Sequence, residues 1–183
     1  MKQHIFFSLI GGSILWIWQF ISFAAADLHH SAHAFTPEQD ALLAAIEATG
    51  LPEGTYFLGQ TDPALIASGE RTGFEPYDGP WALLHWDRSF EQNMGMNMVR
   101  GLFVCLFVAA FLYQILRWMR LPSAGRGAMT GLLVGLMSFL AIPYTDFIWY
   151  EGPDIFAHLA DAVVPWLLMG VVAGKMAAAK QGG

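Results

Sequence analysis

"MVRGLFVCLFVAAFLYQILRW", residues 98–118, carries only Arg100 and Arg117 as charges along its whole length. At 1.5 Å per residue such a run covers the roughly 30 Å of a bilayer core as a helix. Three more runs match it: "IFFSLIGGSILWIWQFISFAA" (5–25), "GAMTGLLVGLMSFLAIPYTDFIW" (127–149) and "AHLADAVVPWLLMGVVAGKMA" (157–177). Composition agrees, because a chain that is 55% hydrophobic and 13% charged is too apolar for an ordinary soluble domain, in which about 25% of residues are charged. The fold class expected is an all-α membrane protein: a bundle of four transmembrane helices, with a small α+β extracytoplasmic cap between the first and second.

Charge orients the chain. All 15 acidic residues fall within 27–91 or 146–161, whereas Lys2, Arg117, Arg120, Arg126, Lys175 and Lys180 lie on the opposite side of the spans. Basic residues mark the cytoplasm. Both termini are therefore expected inside and the cap in the periplasm, in a bacterial inner membrane. A net charge of -6, with no basic stripe outside the inner turn, excludes nucleic acid as a partner class.

Three divisions follow: 1–26 as helix 1, 27–92 as the cap, and 93–183 as helices 2–4 with short turns. Helix 1 ends in "FAAAD", a small-x-small pattern of the kind signal peptidases cut. Its apolar core exceeds the roughly 7–15 residues of a signal peptide, so it is expected to stay as an uncleaved signal-anchor-like helix. The single cysteine, Cys105, lies inside a span. Disulfide exchange and thiolate zinc sites are thereby excluded.

In the cap, "TPEQDALLAAIEATGLP" predicts a helix with Thr36 as N-cap, Pro37 at its first position, Gln39 closing a capping box, and Gly50 past its end. "GTYFLG" (54–59) and "WALLHW" (81–86) read as two paired strands, with one helical turn at "DPALIASG" between them. Ser89, with Gln92 three residues on, is expected to cap a helix that runs into span 2. Such a unit buries too little to be stable alone, so it is expected to lean on the bundle or on another protein.

Lipid-embedded helices associate by close packing, and small residues at four-residue spacing permit it. Gly127, Gly131 and Gly135 form one ridge, Gly170, Gly174 and Ala178 a second, and Gly101, Cys105 and Ala109 a third. These ridges suit a compact bundle or a partner subunit.

Polar residues gather at the outer boundary. Asp154, His158 and Asp161 share one face of helix 4, with Arg100 and Asp146 at similar height. An ionisable group inside a span costs about 2.5–3.5 kcal/mol, so Asp161 is expected to face the bundle, with Arg100 or His158 as its partner. "DLHHSAHAF" (27–35) adds His29 and His33, four residues apart and on one side of any helix that continues span 1. With His158 and Asp161 they suggest a zinc or copper site. Met94 and Met98 bring soft thioethers to the same boundary and favour copper. The alternatives are a hydrated histidine-rich helix end and methionines that only fill space.

No nucleophile, base and orienter can be assembled from the sequence, and glycine-rich phosphate loops are absent, so catalysis is not expected. A bis-histidine haem lacks a second histidine at matched depth. Proton or cation translocation through the Asp/His group is a further alternative, without the repeats that transporters show.

Taken in order, "WQFISF", a histidine, "FTPEQDALLAAI", "GTYFL", the Gly-Pro-aromatic strand and "DAVVPWLLMGVVA" resemble a family of small four-span bacterial inner-membrane proteins whose activity is not established. The resemblance implies the four-span topology and no activity. Where that family has a Pro-Trp-His turn after the first span, this chain has "DLHHSAH". The leading expectation is an accessory, assembly or scaffolding subunit that packs against other membrane proteins or its own copies. Metal handling at the periplasmic face is the runner-up.

Overall fold

The computed structural model describes residues 2–73, 79–90, 93–119 and 123–181. The chain divides into two compact units, residues 1–34 with 93–183, and residues 35–92.

The larger unit contains four helical segments long and apolar enough to cross a membrane: Lys2–Ala25, Met94–Trp118, Ala124–Tyr150 and Ile155–Ala179. In the first, α1 (Lys2–Phe20) runs into a wider π turn (Ile21–Ala25). The helix stops at Asp27, whose φ of 46° no α-helix accommodates. A short 3₁₀ turn, His30–Ala32, follows. Since α1 stops here, His29 and His33 do not share a face of a continued helix.

The second segment is α4 (Met94–Trp118). Its cap is Asn93, whose side chain accepts the Met96 N–H at 3.0 Å. Ser89 is thus not the helix start, and Gln92 lies outside the described residues. Arg120, in the expected inner turn, lies outside them as well.

The third segment is broken where a continuous helix was expected. α5 (Ala124–Ala141) ends at Ile142, and α6 (Pro143–Tyr150) resumes with the proline at its first position. Proline has no N–H to give the Phe139 carbonyl, and it disfavours helical ψ in the residue before it. Ile142 accordingly sits at φ -124°, ψ -72°. The fourth segment is α7 (Ile155–Gln181).

Packing pairs the helices in chain order. α1 lies against α4 and α5 against α7; α7 also meets α1 and α4, while α4 and α5 barely touch. The core is built from Phe7, Leu112, Tyr113, Leu116, Met169 and their small neighbours. Glycine decides how close α5 and α7 come. A Cβ at Gly127 would collide with the Gly170 carbonyl oxygen, one at Gly131 with that of Trp166, and one at Gly135 with that of Ala162. On the other pair, Gly12 admits the Leu106 backbone and Gly11 the Ala109 methyl. The glycine ridges of α5 and α7 therefore face each other instead of a partner subunit, and Cys105 and Ala109 of the third ridge are buried. Of the ridge glycines, Gly101 is the one that faces open space. The outward faces carry exposed Phe6, Phe107, Phe111, Met137 and Leu168, compatible with lipid contact.

The smaller unit holds α2 (Gln39–Ala48), β1 (Gly54–Leu58), α3 (Pro63–Ala67) and β2 (Ala82–Trp86). The strands pair antiparallel, Gly54 opposite Trp86 and Leu58 opposite Ala82, as the two aromatic runs suggest. Asp62 caps α3 by accepting the Ala64 N–H at 2.8 Å. α2 starts later than its capping box predicts. Thr36 accepts the Glu38 N–H in a local turn, and the N-cap position falls on Glu38, which makes no side-chain capping bond. Gly50 ends the helix with φ 68°. None of the described residues of this unit is buried.

Candidate functional site: a histidine between two aspartates

Asp27 turns the chain back on itself at the end of α1, and the turn delivers His29 against the start of α7. The Leu28 N–H donates to the Ser22 carbonyl at 2.8 Å and holds this reversal. His29 is 2% exposed. Its Nδ1 lies 2.7 Å from Asp154 Oδ2 and its Nε2 lies 3.1 Å from Asp161 Oδ2. Ionised carboxylates only accept hydrogen bonds, so both contacts are satisfied when both ring nitrogens carry hydrogen. Burial works against that imidazolium, yet the hydrogen bonds and charges of Asp154 and Asp161 prevail and raise the His29 pKa above its ordinary value. Asp154 is likewise penalised by burial, and its hydrogen bond to His29, a backbone hydrogen bond and the charges of His158 and His29 together outweigh the penalty and lower its pKa.

The shell around this triad comes from three elements. Phe23, in the π turn, stacks flat on the imidazole with ring centres 3.9 Å apart and planes 3° from parallel. A cation held over an aromatic face is stabilised by the ring quadrupole. From α1, the Trp18 indole N–H donates to Asp161 Oδ1 at 2.8 Å. On α7, His158 sits one turn below Asp154, its Nε2 3.3 Å from Asp154 Oδ2, and its ring meets His29 edge-on at 4.8 Å. Ser22, fully buried in the π turn, has a hydroxyl with no hydrogen-bond partner among the described residues.

Helical spacing alone brings Asp154, His158 and Asp161 together, and the structure adds His29 to them. One candidate donor atom from each of His29, His158 and Asp161 lies within 4.8 Å of the others, a set able to hold a metal ion. The other expected residues fall elsewhere. His33 is exposed at the end of the 3₁₀ turn, because the chain is no longer helical there. Met94 and Met98 are exposed on the first turns of α4, 58% and 42%, so the thioethers are not enclosed with the imidazoles. Arg100 is exposed and forms no ion pair among the described residues, leaving Trp18 and His29 as the partners of Asp161. Asp146 is exposed on α6 and lines, with Thr145, Trp149 and His158, a separate hollow of about 410 Å³.

Trp18 and Phe23 are the site residues that sequence reasoning missed. A weak signal existed for Trp18, since an indole N–H in an apolar helix needs an acceptor, and Asp161 was the acid lacking a donor. Nothing in the sequence marked Phe23, because its place depends on the π turn. Comparison with protein-family models, with curated proteins and with solved structures finds no match to this chain.

Proposed function

We propose that the chain is a four-span bacterial inner-membrane protein that binds zinc at its periplasmic membrane face through His29, His158 and Asp161. The segregation of acidic residues from the basic ends supports this orientation. One observation carries the site: a buried imidazole whose Nε2 meets Asp161 while its Nδ1 is held by Asp154. Metal-binding histidines characteristically donate their second ring N–H to a carboxylate, which fixes the tautomer and makes the free nitrogen more basic. A zinc ion would displace the Nε2 proton and draw Asp161 and His158 around itself. Two imidazoles and a carboxylate suit zinc, whereas copper(I) prefers the thioethers that stand exposed on α4. Three protein ligands leave a fourth position open, as in sites that exchange a ligand. The activity proposed is reversible zinc capture on the outer side.

Isothermal titration of the purified protein with zinc tests this. Wild type is expected to bind one ion per chain, and His29→Ala and Asp161→Asn are each expected to lose at least tenfold in affinity. Equal affinity in all three proteins would remove the reading.

A second reading, the accessory or scaffolding subunit, has a separate support. No described residue of the 35–92 unit is buried, and Leu42 and Leu43 of α2 are 54% and 51% exposed. A unit with so little interior is stabilised by something that covers it. Gentle purification from native membranes is expected to retain a stoichiometric membrane partner. A monodisperse, stable monomer would argue against docking.

A further inference from the structure

Because consecutive segments pair, α1 with α4 and α5 with α7, a seam is left where α4 and α5 barely touch. The seam opens into a cleft of about 360 Å³ that reaches Asp161 and His158 at one end. That volume falls in the range of small-molecule pockets, which in helical proteins commonly lie between helices. We infer that the cleft binds a neutral lipid with a flat, hydroxyl-bearing ring: an isoprenoid hydroquinone, its ring beside Asp161 and its chain leaving past Val104 and Ile142.

Three observations select this chemistry. The first is the wall. Trp18, Phe23, Phe139 and Trp166 all line the cleft, and aromatic side chains favour a flat ring over a flexible chain. The second is charge. Two carboxylates, Asp154 and Asp161, stand around His29 at this end of the cleft, so fatty acids and anionic headgroups are disfavoured. Each oxygen of Asp161 already takes one N–H and keeps a lone pair for a further donor, which a phenolic hydroxyl supplies and an acyl chain does not.

The third observation is the break in the third segment. Pro143 gives no N–H to the Phe139 carbonyl, and Ile142 before it leaves the helical region at φ -124°, ψ -72°. The Leu140 carbonyl accepts the Thr145 hydroxyl at 2.9 Å. Interrupted helical backbone within an apolar segment is tolerated where it packs inside protein or borders a cavity. Phe139, Ile142 and Pro143 border this cleft. Its mouth is apolar and open, with Val104 59% and Ile142 72% exposed, so the ligand arrives through the lipid.

The test uses the full chain in phosphatidylcholine nanodiscs without added metal, so the outcome is independent of the zinc reading. A hydroquinone with one isoprenyl unit, kept reduced under anaerobic conditions, is titrated calorimetrically. Saturable binding of one molecule per chain is expected, with the dimethyl ether of the same compound binding at least tenfold more weakly because it has no donor. Ser138→Trp and Val104→Trp fill the cleft from opposite walls, and each is expected to lose at least tenfold while keeping native helicity by circular dichroism. Absence of saturable binding in wild type overturns the inference. So does equal binding of the ether, displacement by oleate as effective as by the hydroquinone itself, or full binding in both natively folded variants.

Discussion

His29 and Asp161 stand 132 residues apart in the chain and meet at 3.1 Å, joining the end of the first long helix to the fourth. The second oxygen of Asp161 takes the Trp18 N–H, so a single carboxylate fastens two segments. Asp161→Asn preserves the shape and removes the charge, and a lost charge-assisted hydrogen bond of this kind costs about 1.5–3 kcal/mol. The thermal midpoint in detergent is expected to fall accordingly. Trp18→Phe is expected to cost about 1 kcal/mol, and in the double variant the losses should not add, because both report on one contact.

The pH dependence follows from opposite shifts on the two partners. His29 is raised, so its contribution is fully present below its ordinary 6.5 and is lost as pH rises through its folded value. Asp154 is lowered, so its contribution is present above its ordinary 3.8 and is lost as pH falls through its folded value. Metal-free protein is therefore expected to melt highest between those limits and to lose stability on the alkaline side. Melting curves from pH 4 to 9 check this. In His29→Ala the alkaline decline should flatten; an unchanged decline would place its origin elsewhere.

Glycine at 131 is required by the Trp166 carbonyl that lies against it. Gly131→Val must push α5 from α7, and overpacking of this sort costs about 1–3 kcal/mol or more. Gly101→Ala is the control, since nothing lies within 4 Å of a Cβ placed there. The first variant is expected to melt well below wild type and the second to melt at or slightly above it, the gain coming from helix propensity.

Exposed thioethers that do not share the histidine site should not matter to the ion. The double variant Met94→Leu, Met98→Leu is expected to bind zinc as wild type does, and neither protein should prefer copper(I) in a competition titration. A tenfold loss of zinc affinity in the methionine variant would bring α4 back into the site.

The long helices were legible because each is a long, predominantly apolar run, and the paired strands because Gly and Pro bound two aromatic or aliphatic segments. The i, i+4, i+7 spacing of Asp154, His158 and Asp161 likewise needed only helical geometry. Two local departures hid the rest. Asp27 in the left-handed region swings His29 off the helix axis, a conformation rare enough in non-glycine residues that no pattern of neighbours announces it. The split at Ile142 had a visible cause in Pro143, but prolines inside apolar spans are common enough, as Pro165 within α7 shows, that the sequence does not say which one breaks its helix. The partner of Asp161 was sought in Arg100 or His158, whereas the Trp18 indole N–H and His29 fill that place.

Pairing of consecutive segments divides the large unit into two hairpins, and the polar site draws Trp18, Phe23 and His29 from one and Asp154, His158 and Asp161 from the other. Neither half possesses a centre of its own. Ion capture thus becomes a reporter of assembly: residues 1–119 and 123–183, produced as separate polypeptides in one cell, should acquire zinc only once they have found each other in the bilayer.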